Sequence, residues 1–301
     1  MFVPTCLPGI SRAEVITGEK LQQLADVTII DPKTLSFHTS LRVGKICCID
    51  INKWDKKNLP DILCSADIIF VYTHLLDLFF CYIYPLRKRK FVLISHNSDA
   101  EIDEGYKKYI EGDLIRRWYS QNILFENEKL VSLPIGLANS QWKHGDIEKL
   151  VKCRTAAGYF SRTLRSASLL YVNFSNDTNV ERRSLKEMFK NKSYVTIESG
   201  SLSFEEYLSK LSVHKFCICP RGNGIDTHRL WECLYLGVIP IILNHVNFYN
   251  YDCLPILYVQ SWDEVTEKFL LDNYERICMK EYSFDKLCMS YWKDKILSSK
   301  K

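Results

Sequence analysis

The sequence predicts an α/β protein with two doubly wound parallel sheets, each in its own Rossmann-like domain, that face each other across a central cleft. Short apolar runs rich in β-branched residues recur along the chain and are separated by segments of helical length. Most of these runs are apolar at every position, as expected of strands buried on both faces of a parallel sheet. With 301 residues, of which 47% are hydrophobic and 25% charged, the chain is long enough for two such domains and too apolar to be disordered.

The strands and helices alternate in chain order. Strands are expected at 27–31, 45–51, 67–73, 90–96 and 129–137 in the first half, and at 168–175, 194–199, 215–220, 238–244 and 256–260 in the second. Helices are expected at 180–191, 203–213, 226–237, 261–271 and 284–296. Thr178 and Glu181 have the spacing of a capping box for the first of these helices. The polar stretch 144–167 interrupts the rhythm of strands, so we expect domains at 1–165 and 166–301, with the last helix packing back onto the body of the protein.

One segment, 68–86, is long and apolar enough to be considered as a membrane span, and basic residues follow it. However, His74 and Asp77 fall in its middle, and a central Asp costs about 2.5–3.5 kcal/mol of insertion free energy. A buried strand, a turn and an apolar helix ending at Pro85 fit the segment better. We therefore expect no transmembrane segment. The N-terminal residues lack the basic and apolar regions of a signal peptide.

The twelve cysteines predict buried free thiols in a reducing compartment, and hence a cytoplasmic protein. Most lie inside apolar runs, and no CxxC pair occurs. Cys217 and Cys219 would point to the same face of a strand, so a metal pair is conceivable there, but no second pair completes a metal site. The formal net charge of +4 is too weakly basic for a nucleic-acid-binding protein, so any anion bound here should be small.

The most informative segment is 215–241, KFCICPRGNGIDTHRLWECLYLGVIPI. It predicts a buried strand, the loop PRGNGID, and a helix that is capped by Asp226 or Thr227 and closed by Gly237. Beyond its first turn the helix is almost entirely apolar, so it should be buried on most sides. Its polar residues cluster at its N-terminal end, which predicts that this end faces a ligand.

Two arginines and a helix N-terminus form a suitable receptor for a diphosphate. Arg221 lies in the loop, and Arg229 lies in the first helical turn, where a cation opposes the helix dipole. Glu232, one turn further on, could accept hydrogen bonds from ribose hydroxyls. The alternative is a simple ion pair between Arg229 and Glu232 at a solvated helix end. The loop glycines lack the third glycine and the acidic residue of a dinucleotide fingerprint, which argues against an oxidoreductase.

This segment resembles the C-terminal signature of exostosin-type glycosyltransferases, which combines a Cys-Pro-Arg-Gly loop, an Arg-Leu-Trp-Glu helix and a Gly-Val-Ile-Pro strand. The resemblance is specific over 215–241 and extends to about 168–265. The compact form of this chain is most similar to the exostosin-like proteins of large DNA viruses. It is more distantly similar to α1,3-fucosyltransferases, which carry a lysine where this chain has Arg229.

The resemblance implies a GT-B fold, a nucleotide-sugar donor in the C-terminal domain, an acceptor on the N-terminal side, inversion at the anomeric carbon, and no obligatory metal or other cofactor. Arg221 and Arg229 match the family's phosphate-binding arginines, and Glu232 matches its ribose or sugar ligand. Family analogy favours a UDP-sugar and leaves UDP-xylose, UDP-glucuronate and UDP-galactose open, with UDP-xylose as the first expectation. Two alternatives stay open, a GDP-fucose-dependent fucosyltransferase and a catalytically silent protein that only binds a nucleotide sugar or glycan.

Further donor-binding candidates surround these residues. They lie in the signature loop and helix or after the first strand of the C-terminal domain: Gly222, Asn223, Gly224, Thr227, His228, Asn176, Arg182 and Arg183. For the last three, an ordinary capped and solvated helix is an equally good interpretation.

The N-terminal domain should supply the general base and the acceptor site for an oligosaccharide or glycoprotein. His96 and Asp99 follow an apolar strand and are the first candidates for the base, with His74 and Asp77 as the second option. Trp142 could stack on an acceptor sugar while Asn139, His144 and His74 bind its hydroxyl groups. A hydrophobic plug between the domains is the alternative role for Trp142.

Overall fold

The computed structural model describes residues 10–30, 47–51, 61–164, 168–198 and 200–301. These residues form two parallel β-sheets, the first of six strands and the second of five. The strands are β1 (Val27–Ile30), β2 (Cys47–Asp50), β3 (Ile68–Tyr72), β4 (Phe91–His96), β5 (Ile115–Ser120), β6 (Leu130–Ser132), β7 (Ser168–Val172), β8 (Val195–Ile197), β9 (His214–Ile218), β10 (Ile239–Leu243) and β11 (Leu257–Val259).

Helices connect the strands and cover the sheets. They are α1 (Gly18–Gln22), α2 (Asp61–Ser65), α3 (Leu76–Leu78), α4 (Lys107–Ile110), α5 (Ile147–Leu164), α6 (Glu181–Phe189), α7 (Phe204–Ser212), α8 (His228–Leu236), α9 (Glu267–Met279) and α10 (Met289–Ser298). Short 3-10 and π turns extend α3 over 73–86 and also occur at 104–106, 246–251, 262–264 and 285–287.

The predicted fold class is confirmed, since two parallel α/β sheets facing one cleft are the GT-B arrangement. The N-terminal sheet has the order β2-β1-β3-β4-β5-β6, and the C-terminal sheet has the order β11-β10-β9-β7-β8. In both sheets the chain moves one strand outward and then crosses to the other side of its first strand. The direction therefore reverses between β1 and β3 and between β7 and β9, and ligands of such sheets bind at the carboxyl ends of the strands beside that reversal.

Each of the ten predicted strands overlaps an observed strand, but β5 was not predicted. Its sequence, IRRWYS, places two arginines between apolar residues and so lacks the continuous apolar pattern of its neighbours. Arg116 and Arg117 both donate to backbone carbonyls, those of Lys301 and Glu128 respectively. The stretch 144–167 also contains a helix, α5, where the sequence indicated only a pause between domains.

The predicted domain boundary at 165/166 lies outside the described residues. Helix α5 falls on the N-terminal side of that boundary, yet it packs against α7 and α8 of the C-terminal sheet. Helix α10 shows the converse, since it follows the C-terminal sheet in the chain but contacts the N-terminal sheet. There the Tyr119 hydroxyl of β5 donates to the Lys295 carbonyl of α10 at 3.1 Å. The two halves therefore exchange helices, and one hydrophobic core cluster contains residues of both.

The predicted start of α6 was wrong in detail, whereas α8 begins and ends where the sequence predicted. Helix α6 begins at Glu181 with Val180 at its N-cap, and Asn179 rather than Thr178 accepts the hydrogen bond of the Glu181 backbone. Helix α8 has Thr227 at its N-cap without a side-chain capping bond, whereas Gly237 ends it in the left-handed conformation at φ 71°, as predicted.

The apolar segment 68–86 forms buried strand β3 and the helical turns around α3. Within the described part of the chain, no helix combines the length and the apolar character that crossing a membrane requires.

Candidate functional site

A cavity of about 1670 Å³ opens between the two sheets. On its C-terminal side it is lined by the residues that follow β7, by the loop after β9, and by the first turns of α6 and α8. These segments follow the two strands between which the C-terminal sheet reverses direction. The cavity therefore lies where the topology of the sheet predicts a ligand.

Three cations line this C-terminal wall: Arg182 and Lys186 from α6, and Arg229 from α8. Burial and, second to it, the charge of Arg229 lower the pKa of Arg182 to about 10. Burial and then the charges of Arg229 and Arg182 likewise lower the pKa of Lys186. The three positive charges of this wall repel one another. A bound anion would relieve that repulsion.

The guanidinium group of Arg229 contacts an aromatic ring, but one of its hydrogen-bond donors has no acceptor among the described residues. Its guanidinium lies over the ring of Tyr207, 5.7 Å from the ring centroid. Its Nε is buried, and among the described residues no atom accepts a hydrogen bond from it. Burial alone would lower the pKa of Arg229, but Tyr207, Cys217 and Glu232 raise it overall. Arg229 is therefore a permanent cation on the cavity wall.

Glu232 lines the cavity one turn deeper on α8. The Tyr207 hydroxyl donates to Glu232 Oε2 at 2.8 Å. Burial raises the pKa of Glu232 to about 7, although Arg229 and the Tyr207 hydroxyl favour the carboxylate. Near neutral pH this side chain can therefore either accept or donate a hydrogen bond.

Arg221 does not line the cavity. Its guanidinium pairs with Glu101 of the N-terminal domain, with Nη2 2.7 Å from Oε1. Arg182 instead occupies the space beneath the loop, where its Nε donates to the Arg221 carbonyl at 2.8 Å and its Nη2 donates to the Pro220 carbonyl at 3.0 Å. A Cβ on Gly222 would lie 3.1 Å from Arg182 Nη2, so the glycine lets the arginine approach the loop closely.

Asp226 and His228 join the loop to the N-terminal domain. Asp226 Oδ2 accepts from the Ile135 backbone at 2.8 Å, and both carboxylate oxygens accept from Trp231 Nε1 at 2.9 Å. Burial raises the pKa of Asp226 to about 7. Burial lowers the pKa of His228 to about 4, and its Nδ1 lies 2.8 Å from the Gly136 carbonyl. A neutral ring that donates from Nδ1 keeps a lone pair on Nε2.

The N-terminal wall carries Asp99 and an aromatic surface. Asp99 is exposed in the cavity, after strand β4. Trp142 is 50% exposed, and its ring stacks with His144 at a centroid distance of 6.2 Å and an interplanar angle of 21°. His144 in turn lies 6.0 Å from His228 across the cavity. These rings form a surface on which the flat face of a sugar can pack.

Other predicted site residues lie elsewhere. His96 is buried, with Nδ1 3.0 Å from Asn97 Oδ1 and Nε2 3.1 Å from the Pro134 carbonyl. Its ring nitrogens therefore face structural partners rather than the cavity. Asn139 accepts from the Glu19 backbone and donates to Asn97. His74 is exposed beside Tyr72 and away from the cavity, Arg183 is exposed on the outer side of α6, and Asn176 lies near the cavity without lining it.

Some cavity residues were missed by the sequence analysis. Lys186 follows Arg182 by four residues, so helical periodicity could have placed both on one face. Tyr207 lies on an ordinary amphipathic helix, and no local signal places it against Arg229 and Glu232. The loop residues Gly222, Asn223, Gly224 and Thr227 do line the cavity, together with Thr178, whose buried Oγ1 has no hydrogen-bond partner among the described residues.

No protein-family model matches the chain, and no curated protein sequence matches it. The exostosin resemblance therefore stays a prediction. Three solved structures of α1,3-fucosyltransferase are similar to this chain. One, without a stated ligand, is 10% identical with a TM-score of 0.48, and one with GDP-fucose is 11% identical with a TM-score of 0.49. Each of these matches covers 91% of this chain and 88% of the other. The third, with GDP, is 11% identical with a TM-score of 0.44 and covers 98% and 92%.

Proposed function

We propose that the chain is a glycosyltransferase that moves a sugar from a nucleoside diphosphate donor to a hydroxyl group of a glycan acceptor. The observation that carries this proposal is the grouping of Arg182, Lys186 and Arg229 on one wall of the interdomain cavity. Neutral or singly charged ligands need no such grouping, whereas a diphosphate carries several negative charges close together.

The three cations also suit the chemistry of transfer. As the bond between the sugar and the diphosphate breaks, negative charge develops on the leaving phosphate oxygens, and fixed cations there lower the barrier. The cavity exceeds the 300–1,000 Å³ typical of a site for one small ligand, so it has room for donor and acceptor together.

The opposite wall would bind the acceptor. In this proposal the acceptor sugar packs on Trp142, and Asp99 takes the proton from the attacking hydroxyl group. The hydroxyl oxygen forms a bond to the anomeric carbon on the face opposite the leaving diphosphate, so the configuration inverts. Asp99 is preferred to His96 as the base because it is exposed in the cavity, whereas His96 is buried between structural partners.

The donor that we propose is a UDP-sugar, with UDP-xylose first, in keeping with the sequence signature around Arg221 and Arg229. The test is ligand-induced thermal stabilisation by UDP, GDP and a set of their sugar conjugates, with EDTA present. A ligand at 100 times its dissociation constant stabilises the protein by about 2.7 kcal/mol, which raises the melting temperature by about 5 °C. A response to GDP compounds alone would replace the UDP-sugar with a GDP-sugar.

Two neighbouring positions of α6 provide a matched pair of variants. Lys186 lines the cavity and Arg183 does not, although both are cations on the same helix. We expect Lys186→Ala to lose most of the stabilisation by the nucleotide and Arg183→Ala to retain it. Equal responses of the two variants, or no response of the unaltered protein to any nucleotide, would contradict the proposal. Release of UDP that depends on an acceptor distinguishes an enzyme from a protein that only binds.

A further inference from the structure

The cysteine pair of β9 is completed by a third cysteine from α8. Cys217 and Cys219 point to the same face of the strand, and that face packs against Cys233 of the helix. The sulfurs of Cys219 and Cys233 are 3.8 Å apart, and all three sulfurs lie within 4.8 Å of one another. The third member was invisible to spacing arguments because it lies on a different element.

The separation of the sulfurs fits a metal ion at their centre. An ion about 2.3 Å from each of three sulfurs, in the plane of the three, holds the sulfurs about 4 Å apart. This spacing is close to the one present, so binding would need little rearrangement of the backbone. We propose that Cys217, Cys219 and Cys233 form a site for one Cu(I) ion held by three thiolate sulfurs.

The coordination number selects this class of ion. Structural zinc sites use four protein ligands, whereas in the part of the chain that the structure describes no histidine, carboxylate or further cysteine joins the three thiols. The three residues are at most 4% exposed, so solvent water does not supply a fourth ligand. Soft thiolate ligands with a low coordination number favour Cu(I).

The surroundings can balance the charge of the complex. Binding of one Cu(I) ion by three thiolates releases three protons to solvent and leaves a net charge of −2. Two guanidinium groups, those of Arg182 and Arg229, interact electrostatically with Cys219. The same two arginines belong to the cationic wall of the cavity, so the ion would lie directly behind that wall.

Bound copper would connect the two ends of the loop at 219–227. The loop leaves β9 at Cys219, and α8 carries Cys233 fourteen residues later. A bond through the metal would hold strand and helix together and restrict the loop between them. If the proposed donor site is correct, nucleotide affinity should change with copper. The metal site itself does not depend on that function.

The test measures Cu(I) binding by the whole chain under anaerobic conditions, in competition with the chromophoric chelator bicinchoninate. We expect one ion per chain to resist the chelator, with three sulfur neighbours in its X-ray absorption spectrum. Loss of an outer-shell partner alone lowers metal affinity 10- to 100-fold, so Cys219→Ala and Cys233→Ala should each lower it by more than about 100-fold. Cys64→Ala and Cys81→Ala, at exposed positions, are the controls and should bind as the unaltered protein does.

Three outcomes would overturn the site. They are retention of full affinity by both triad variants, loss of affinity in the exposed-cysteine controls, and an absorption spectrum with two sulfurs or with nitrogen and oxygen neighbours. The spectrum needs only the unaltered protein, so the proposal is testable even if a triad variant fails to fold. If the unaltered protein binds nucleotide but no Cu(I), the metal site fails and the proposed function stands. If it binds Cu(I) through three sulfurs but no nucleotide, the proposed function fails and the metal site stands.

Discussion

Arg182, Lys186 and Arg229 share one wall of the cavity, and the carboxyl group beside them, that of Glu232, is only partly ionised near neutral pH. Asp177 offsets part of this charge at Lys186, but burial and the repulsion by neighbouring arginines still lower the pKa of Lys186 and of Arg182. Folding tolerates this because the rest of the domain fixes α6 and α8 through apolar contacts, with Leu185 and Leu230 buried beneath the charged residues. Such a site is costly when empty and favourable when an anion is bound.

Arg229→Ala should abolish transfer and leave the fold intact. A hydrogen bond to a charged group is worth about 2 kcal/mol, so nucleotide affinity should fall about 30-fold. Titration calorimetry measures that affinity, and circular dichroism checks the fold. Arg183→Ala, on the outside of α6, is the matched control. Full transfer activity in Arg229→Ala would remove the phosphate assignment.

Glu232 should make stability depend on pH. Burial raises its pKa from 4.5 to about 7, so folding favours the protonated form. The stabilisation is complete below about pH 4.5 and is lost as the pH rises through about 7, a change of about 3 kcal/mol from this group. Glu232→Gln should reduce that decline between pH 5 and pH 7.5 in urea unfolding, and the decline that remains comes from Asp226, whose pKa burial also raises to about 7. Glu205→Gln, at an exposed position of α7, should leave the decline unchanged. A decline in Glu232→Gln as steep as that of the unaltered protein would contradict the assignment.

Site residues carried by one helix could be placed from the sequence, whereas those positioned by contacts between domains could not. The sequence places Arg229, His228 and Glu232 correctly in the cavity because a single helix, with a visible start and end, carries all three. Arg182 and Arg183 were equal candidates, since their orientation depends on where α6 begins. Arg221 was misplaced because its partner, Glu101, comes from the other domain, and no local pattern contains that contact.

At the scale of the elements, ten strands were predictable, whereas strand β5 and helix α5 were not. A strand buried on both faces is apolar over most of its length, as β3 and the first four residues of β4 are. Strand β5 departs from that pattern because two arginines follow its first residue, and they donate to the carbonyls of Lys301 and Glu128. Helix α5 mixes charged, polar and small residues without a continuous apolar run, so its sequence resembles a linker although it packs against α7 and α8.

Helix α7 provides a test of local stabilisation. The Ser203 side chain accepts from the Glu206 backbone at 3.3 Å, and the Glu206 side chain accepts from the Ser203 backbone at 2.8 Å, which completes a capping box. Ser203→Ala should therefore lower the free energy of unfolding by about 1 kcal/mol. Ser209→Ala, at an exposed position inside the same helix, is the control and should change it by less than about 0.5 kcal/mol. Denaturant unfolding measures the free energy of unfolding of both variants. Equal losses in the two would exclude a capping role for Ser203.

At the scale of the whole molecule, buried polar side chains join the two domains. Asn122 Oδ1 accepts from the backbones of Ile225 and Asp226, at 3.0 Å each. Asn247 Oδ1 accepts from the Ile123 backbone at 2.9 Å. Together with the shared core, these contacts predict that the domains unfold as one unit rather than separately.

Asn122→Ala tests whether the two domains unfold as one unit. The substitution leaves two buried N–H groups without an acceptor and should cost about 3 kcal/mol. Asn191→Ala is a close control, because Asn191 has the same left-handed backbone, with φ 63° against 56° at Asn122, but is exposed. Calorimetry should show one transition for both variants, with the larger fall in melting temperature for Asn122→Ala. Two separate transitions in the unaltered protein would contradict a single unit.

The docking of α10 onto β5 has a consequence for how the chain is made. Trp292 and Ile296 of this helix are fully buried, and the Lys295 carbonyl accepts a hydrogen bond from the hydroxyl group of Tyr119, 176 residues earlier in the chain. At roughly 5 to 20 residues per second, a ribosome takes about 10 to 35 s to synthesise that interval. During this time the face of the N-terminal sheet that α10 covers has no cover. The nascent protein is therefore most exposed to aggregation, and most dependent on chaperones, before its last helix is translated.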